Sequence, residues 1–120
     1  MNSKPGEKMS LFEKIKQAAA QKDADKWIGH YHPDFQFVRH QTGTTMNRDQ
    51  IYGMIKSMFT NDAVVQSDHR CIYENDQVLI EHSVMDFPDN SREAVLVVHL
   101  LKDGKIFRSE TGATPINTLV

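Results

Sequence analysis

The sequence predicts an α+β fold in which about three N-terminal helices pack on a strongly curved, mostly antiparallel sheet. Residues 10 to 31 carry apolar side chains at helical spacing, and most of the chain after residue 62 has the texture of strands. Helices followed by antiparallel strands are typical of this class. Between residues 31 and 59 a helix end, a strand, a turn and a new helix follow one another. That order suggests a curved sheet wrapped around a helix, with a pocket inside.

The first helix is predicted to begin at Ser10. Ser10 and Glu13 form a capping box, in which the two side chains satisfy free amide donors at the helix start. The apolar residues that follow at helical spacing, as far as residue 22, are Leu11, Ile15, Ala18 and Ala19.

A second helix is predicted to start at Asp23 or Asp25 and to end before Pro33. The residue before a proline is pushed out of the helical region, which is why Pro33 is expected to stop the helix. The apolar residues assigned to this helix are Trp27, Ile28 and Tyr31.

A strand and a third helix follow. Phe35, Phe37 and Arg39 alternate with Gln36, Val38 and His40, which is the period of a half-buried strand. Gly43 supplies a turn, and the segment NRDQ at residues 47–50 is a second capping pattern. The apolar side of the helix that it begins consists of Ile51, Tyr52, Ile55, Met58 and Phe59.

Four long strands are predicted in the second half of the chain. They span residues 64–73, 77–87, 92–102 and 105–114. The turn Asp103-Gly104 between the last two is a hairpin signal, because glycine accepts a positive φ. The segment AVLVVHLL at residues 94–101 is apolar on both faces, although antiparallel sheets usually expose one face to water. Since the helices can cover only one face, we expect a homodimer through the outer face of the sheet.

The composition excludes several classes of protein. A chain of 120 residues with 39% hydrophobic content predicts one domain, from residue 10 to 120, after a flexible N-terminus of residues 1–9. The net charge of -2 argues against nucleic-acid binding. No apolar run approaches the roughly 18 residues of a membrane span. Cys71 is the only cysteine, so no internal disulfide can form, and we expect a cytoplasmic location.

With these elements placed, residues 10–114 resemble the nuclear transport factor 2-like superfamily, in its SnoaL-like and ketosteroid-isomerase-like branch. The resemblance rests on the order of three short motifs, DKWIGHYHPDF at residues 25–35, RDQI at 48–51 and DGKI at 103–106. It implies a conical α+β barrel with a mixed sheet, a pocket between the helices and the concave sheet, and frequent dimerisation through the outer sheet face.

The chain departs from the catalytic pattern of the ketosteroid isomerases. That chemistry needs a carboxylate base and two acidic donors for the developing oxyanion. In this resemblance the base falls on Arg39, one donor falls on Ile15, and the other falls on Leu96 or Val97. An arginine cannot accept a proton and an aliphatic side chain cannot donate one, so the mechanism of the ketosteroid isomerases, with its own set of catalytic residues, is excluded. Only Tyr31 matches a pocket tyrosine of the pattern.

Arg39 is then a candidate ligand anchor. If it points inward with Phe35 and Phe37, its guanidinium could bind a carboxylate or carbonyl group of a small organic molecule. The alternative is that Arg39 faces solvent or pairs with an internal acid, for which the candidates are Asp68, Glu81 and Glu110. For the carboxylates of the strands, surface ion pairing is the expectation.

Two histidines are candidate catalytic groups. His82 alternates in phase with apolar strand residues, and so does His99, so both could occupy a buried face and act as general acid or base. The alternative is a histidine that is hydrogen-bonded in the core or in a dimer interface. The histidines have no recognisable metal-ligand spacing, and we expect neither a metal nor a cofactor.

The expected pocket combines these residues with the family resemblance, which places Phe107, Ser109 and Thr111 on the concave side of the last strand. The residues expected to bind a ligand are Tyr31, Arg39, Trp27, Phe37, Met54, Met58, Phe107, Ser109 and Thr111. Three functions remain open. One is a small-molecule enzyme, such as an acid–base lyase, isomerase or hydrolase, and another is a non-catalytic binding or dimeric association module. The third is a protein–protein adaptor that binds through the sheet face, which requires an apolar surface left exposed after dimerisation.

Overall fold

The computed structural model describes residues 9–116, which form helices and strands in the order expected of an α+β fold. The elements are α1 (Leu11–Ala20), α2 (Ala24–Ile28), β1 (Tyr31–Arg39), β2 (Thr44–Asn47), α3 (Arg48–Phe59), β3 (Val65–Glu74), β4 (Val78–Asp86), β5 (Arg92–Lys102) and β6 (Lys105–Pro115). The N-terminus that the sequence predicts to be flexible lies, apart from Met9, outside the described residues.

The strands form one six-stranded sheet in the order β2-β1-β6-β5-β4-β3. The pairing between β1 and β6 is parallel, whereas every other pair of neighbours is antiparallel. The predicted α+β architecture, with helices packed on a curved mixed sheet, is therefore confirmed. The sheet is curled but not closed, because β2 and β3 remain at its two edges.

Each helix begins at a side-chain cap. The Ser10 hydroxyl accepts a hydrogen bond from the Glu13 amide at 3.1 Å, and the Asp23 carboxylate accepts one from the Lys26 amide at 3.0 Å. At the start of α3, Asn47 forms a complete capping box with Gln50. These caps satisfy amide groups that would otherwise lack partners, so the local sequence fixes where the helices start.

Tyr31 corrects one prediction. It opens β1 in parallel pairing with Ile106 and does not belong to the second helix, which ends at Ile28. The Arg48 side chain donates to the carbonyls of Ile28 at 3.0 Å and Tyr31 at 3.1 Å, which holds the junction between helix and strand. Pro33 lies inside β1, in a stretch that is not paired with β6, because proline has no amide to donate.

The hydrophobic core lies between the three helices and the concave face of the sheet. It consists of Phe12, Ile15, Ala18, Trp27, Ile28, Tyr31, Phe35, Ile51, Ile55, Leu79 and Ile106. The outer face is different, because Leu96 and Leu100 of β5, which pair with His82 and Val78, are 44% and 42% exposed. Among residues 9–116, no helix has the length and apolar character that crossing a membrane requires.

Candidate functional site

A cavity of about 520 Å³ opens between the helices and the concave face of the sheet. Its walls are mostly apolar, with contributions from all three helices and from β1, β3, β4, β5 and β6. Of the residues expected at the site, those that line this cavity are Trp27, Tyr31, Phe37, Met54, Met58, His99, Ser109 and Thr111. The methionines border the space without filling it.

Arg39 does not line the cavity. Its guanidinium forms an ion pair with Glu93 at 3.3 Å and also donates to the Gln41 side chain at 3.1 Å. Gln41 in turn donates to the other oxygen of Glu93 at 3.0 Å. Arg39 is therefore engaged with an internal acid, and that acid is Glu93 rather than Asp68, Glu81 or Glu110.

Phe107 also lies away from the cavity, against His32 and Lys102. The reason is a register shift between β5 and β6, where Leu100 pairs with Arg108 but Leu101 pairs with Ile106. This irregularity lets both Ile106 and Ser109 face inward, which strict alternation would forbid. The expectation that Phe107 shares a face with Ser109 is wrong for this reason.

His82 is the third residue that the structure places elsewhere. Along β4 the inward positions are Leu79, Glu81 and Met85, so His82 faces the outer side of the sheet. Within residues 9–116 its Nδ1 atom is buried without a hydrogen-bond partner. His82 does alternate in phase with apolar strand residues, but those residues form the outer face of the sheet and not the cavity wall.

The polar centre of the cavity wall is the carboxylate of Glu81. His69 Nε2 lies 2.7 Å from one of its oxygens, and His99 Nε2 lies 2.8 Å from the other. These three side chains are 6% to 10% exposed. Neither Glu81 nor His69 is among the site residues that the sequence predicts, and surface ion pairing, which the sequence suggests for the strand carboxylates, does not describe the buried Glu81.

The charge of Glu81 fixes which atoms donate. Burial alone would raise its pKa, but the hydrogen bonds and charges of His69 and His99 outweigh burial and lower the pKa to about 2. The carboxylate is therefore ionised at neutral pH and can only accept hydrogen bonds. Both Nε2 atoms must then carry the proton that points at Glu81.

The two imidazoles differ at their other nitrogen. His99 Nδ1 lies 2.6 Å from the Ser109 hydroxyl, which is itself buried. In the neutral ring this nitrogen accepts the serine proton, so both nitrogens of His99 are occupied. His69 Nδ1 has no partner among residues 9–116 and is not fully buried. The free basic nitrogen of the network is thus on His69.

A bulge in β3 lets both Gln66 and His69, which are three residues apart, face the cavity. Ser67 pairs with Val84 and Arg70 pairs with His82, so β3 has one residue more than β4 between these pairs. Asp68 takes up the extra residue with a φ of 51°, a left-handed conformation that aspartate tolerates better than most residues. No short-range pattern in the sequence marks this bulge, which is why His69 could not be selected from alternation.

Tyr31 adds a hydrogen-bond donor to the same cavity. Its ring stacks on Trp27, with ring centroids 4.2 Å apart, and meets Phe35 edge-on. Burial, with a smaller contribution from the charge of Glu81, raises the pKa of Tyr31 well above its usual value. The hydroxyl therefore stays protonated, and it has no hydrogen-bond partner among the described residues.

The three-residue network does not resemble a metal site. In residues 9–116, no group of three or more His, Cys, Asp and Glu side chains is arranged to hold a metal ion. The Nε2 atoms, which are common metal ligands, both donate to Glu81. What the arrangement offers chemically is proton transfer at His69 and hydrogen-bond donation from Tyr31.

Comparison with known proteins gives a family and a fold. A family model described as SnoaL-like domain matches residues 12–109. No curated protein sequence shows significant similarity to the chain. The structure is similar to that of an NTF-2 like protein of unknown function from Burkholderia xenovorans, with a TM-score of 0.72, 15% identity, and coverage of 90% of this chain and 83% of the other.

Two further structures show the same fold. An NTF2-like protein of unknown function from Cytophaga hutchinsonii has a TM-score of 0.72 at 10% identity, covering 91% of this chain and 94% of its own. A protein from Catenulispora acidiphila with a ketosteroid isomerase-like fold, in complex with trimethylamine, has a TM-score of 0.63 at 13% identity. That alignment covers 88% of this chain and 86% of the other.

Proposed function

The chain belongs to the SnoaL-like domain family, and we propose that it is an acid–base enzyme whose cavity binds a small, largely apolar organic molecule bearing a carbonyl group. His69 is the proposed general base, and Tyr31 is the proposed donor to the carbonyl oxygen. The observation that carries the proposal is the Glu81 carboxylate at the cavity wall, which orients His69 and leaves its Nδ1 atom free.

The proposed step is removal of a proton next to the carbonyl. His69 Nδ1 takes the proton, and the electron pair of the broken C–H bond moves toward the carbonyl oxygen, where the Tyr31 hydroxyl donates to the developing negative charge. Glu81 stabilises the imidazolium that forms, because its carboxylate already accepts from His69 Nε2. Return of the proton to another carbon would give an isomerase, whereas loss of a neighbouring leaving group would give a lyase.

The second candidate function is a non-catalytic binding module. It is favoured by the shielding of the network, since the His69 side chain is 8% exposed and that of His99 is 6% exposed. In this case the two imidazoles serve to neutralise Glu81 inside the protein, and the cavity only holds the ligand. The open space beside Met54 and Met58 is required by both functions.

Two further properties belong to the proposal. A homodimer through the outer sheet face would cover Leu96 and Leu100, which are large apolar side chains left exposed by the single chain.

The cytoplasm is the proposed location, because the single cysteine, Cys71, is free.

Hydrogen exchange at carbon tests the catalytic proposal without knowledge of the natural substrate. A panel of small ketones, aldehydes and keto acids is incubated with the protein in D₂O, and the loss of the proton signal next to the carbonyl is followed by NMR. We expect the wild type to accelerate exchange of at least one compound, and His69→Gln to be slower by at least about 100-fold.

The matched control is His82→Gln, since His82 lies on the other face of the sheet. This variant should exchange at the wild-type rate. Equal rates in His69→Gln and the wild type would overturn the role of His69 as base. Binding of a carbonyl compound in the cavity with no accelerated exchange would support the non-catalytic module instead.

A further inference from the structure

The opening of the cavity carries positive charge. Lys16 and Lys22 line the cavity and are exposed, as is Asp62. Lys16 is in the middle of α1, Lys22 follows the end of that helix, and Asp62 follows α3, so the three charges border the cavity from the side of the helices. None of these three residues takes part in the proposed proton transfer.

The negatively charged side chains that line the cavity already have hydrogen-bond or ion-pair partners. Glu81 accepts hydrogen bonds from two imidazoles in the wall. Asp62 forms an ion pair with Lys22 at 3.1 Å, and its side chain is 96% exposed to water. Lys16 forms no salt bridge with another residue of the 9–116 range, so one positive charge at the opening is left over.

Lys16 also lies close to the proposed base. Its Nζ atom is 3.5 Å from the backbone carbonyl of His69. Because both residues line the same cavity, a ligand bound there can contact His69 and the ammonium group of Lys16 at the same time. The other walls of the cavity are mostly apolar, with Ile15 and Met58 among them. Such a site suits a molecule that is apolar in its middle and charged at the end nearest to water.

We infer that Lys16 and Lys22 form a subsite for an anionic group, and that the cavity selects an apolar organic acid whose carboxylate or similar anion stays at the opening. This inference rests on the proposed small-molecule function of the cavity. It assigns recognition of the anion to lysines of the opening and not to Arg39, whose guanidinium is engaged by Glu93. Asp62 competes with the ligand for Lys22.

A pair of fluorescent probes tests the inference. Anilinonaphthalene sulfonate and N-phenylnaphthylamine share one aromatic framework, and only the first carries an anionic group. We expect the sulfonate to bind more tightly to the wild type, and we expect this preference to shrink as salt is added, because exposed charges are screened. Labelled methionine methyl groups report where the probe lies, since Met54 and Met58 line the cavity and Met46 does not.

Variants of the opening separate charge from packing. Lys16→Gln and Lys22→Gln should each weaken binding of the sulfonate about two- to five-fold and leave the affinity for the neutral probe unchanged. Asp62→Asn should strengthen binding of the sulfonate, because it removes the carboxylate that pairs with Lys22. Lys14→Gln is the matched control, since Lys14 is an exposed lysine of α1, like Lys16, but does not line the cavity. This variant should change the affinity for neither probe.

The outcomes distinguish this inference from the proposed function. If both probes shift the Met54 and Met58 signals with equal affinity, the cavity binds small molecules but the anionic subsite is wrong. If the lysine variants weaken both probes equally, the lysines act through packing and the inference also fails. If neither probe shifts those signals, the inference and the proposed small-molecule cavity fail together.

Discussion

Glu81 of β4 and His69 of β3 meet at 2.7 Å in the wall of the cavity, although the sheet pairs neither residue directly with the other. Glu81 pairs with Cys71, and His69, two residues before Cys71, lies on the same face of the sheet. The contact joins an ionised carboxylate to a ring whose second nitrogen has no partner in residues 9–116. Four consequences of the architecture can be measured.

Glu81→Gln should destabilise the protein. The amide keeps the shape of the side chain, but its nitrogen cannot accept, so one of the two imidazole N–H groups loses its partner inside the protein. We expect a loss of about 1–3 kcal/mol in the free energy of unfolding, measured with urea.

Glu110→Gln is the control for this substitution. Glu110 also accepts from a histidine, His40, at 2.7 Å, but on the exposed side of the protein. Because surface substitutions usually change stability by less than about 0.5 kcal/mol, Glu110→Gln should leave unfolding almost unchanged. Equal losses in the two variants would show that burial of the Glu81 network has no special effect.

The stability of the wild type should fall in acid because of Glu81. Its pKa is about 2 in the folded state against an ordinary value of 4.5. A depressed pKa gives a stabilising contribution that is complete above pH 4.5 and is lost as the pH falls toward 2, since the unfolded chain takes up the proton first. Urea unfolding across this range should show a smaller dependence on pH in Glu81→Gln than in the wild type. Identical slopes would contradict the assignment.

At position 68, glycine should be compatible with the folded structure, whereas valine should destabilise it. Its φ of 51° lies in the left-handed region, where a β-branched side chain clashes with the backbone and glycine does not. We expect Asp68→Val to be less stable than Asp68→Gly by about 1–2 kcal/mol in thermal or urea unfolding. A valine variant as stable as the glycine variant would contradict the left-handed conformation of residue 68 in the bulge.

The outer face of the sheet should control the oligomeric state. Leu96→Lys places a charge at the centre of the exposed apolar residues of β5, and we expect it to convert a homodimer to a monomer in light-scattering measurements. The control is Lys56→Glu on α3, which changes charge on an exposed helix position away from this face. A wild-type mass of one chain at micromolar concentration would rule out the dimer.

Much of the fold could be predicted because its signals are local. Ser10 and Asn47 mark helix starts with their own side chains, and the strand from Arg92 to Lys102 has the bounds that its composition indicates. The turn at Asp103-Gly104 joins β5 to β6 as expected, with Gly104 at a φ of 76°. The short β2 was missed, since its four residues carry no apolar alternation strong enough to predict a strand.

The site could be predicted only in part, because it depends on which strands are neighbours and in which register. Alternation correctly separates the two faces of β4, but it cannot say that the face of Glu81 is the inner one and that of His82 the outer one. Two bulges then decide the rest, since one turns Phe107 away from Ser109 and the other places both Gln66 and His69 on the inner face. The sequence by itself thus determined the elements and the family resemblance, whereas the tertiary structure alone decided the proton-transfer network, since each contact in it joins residues on different strands.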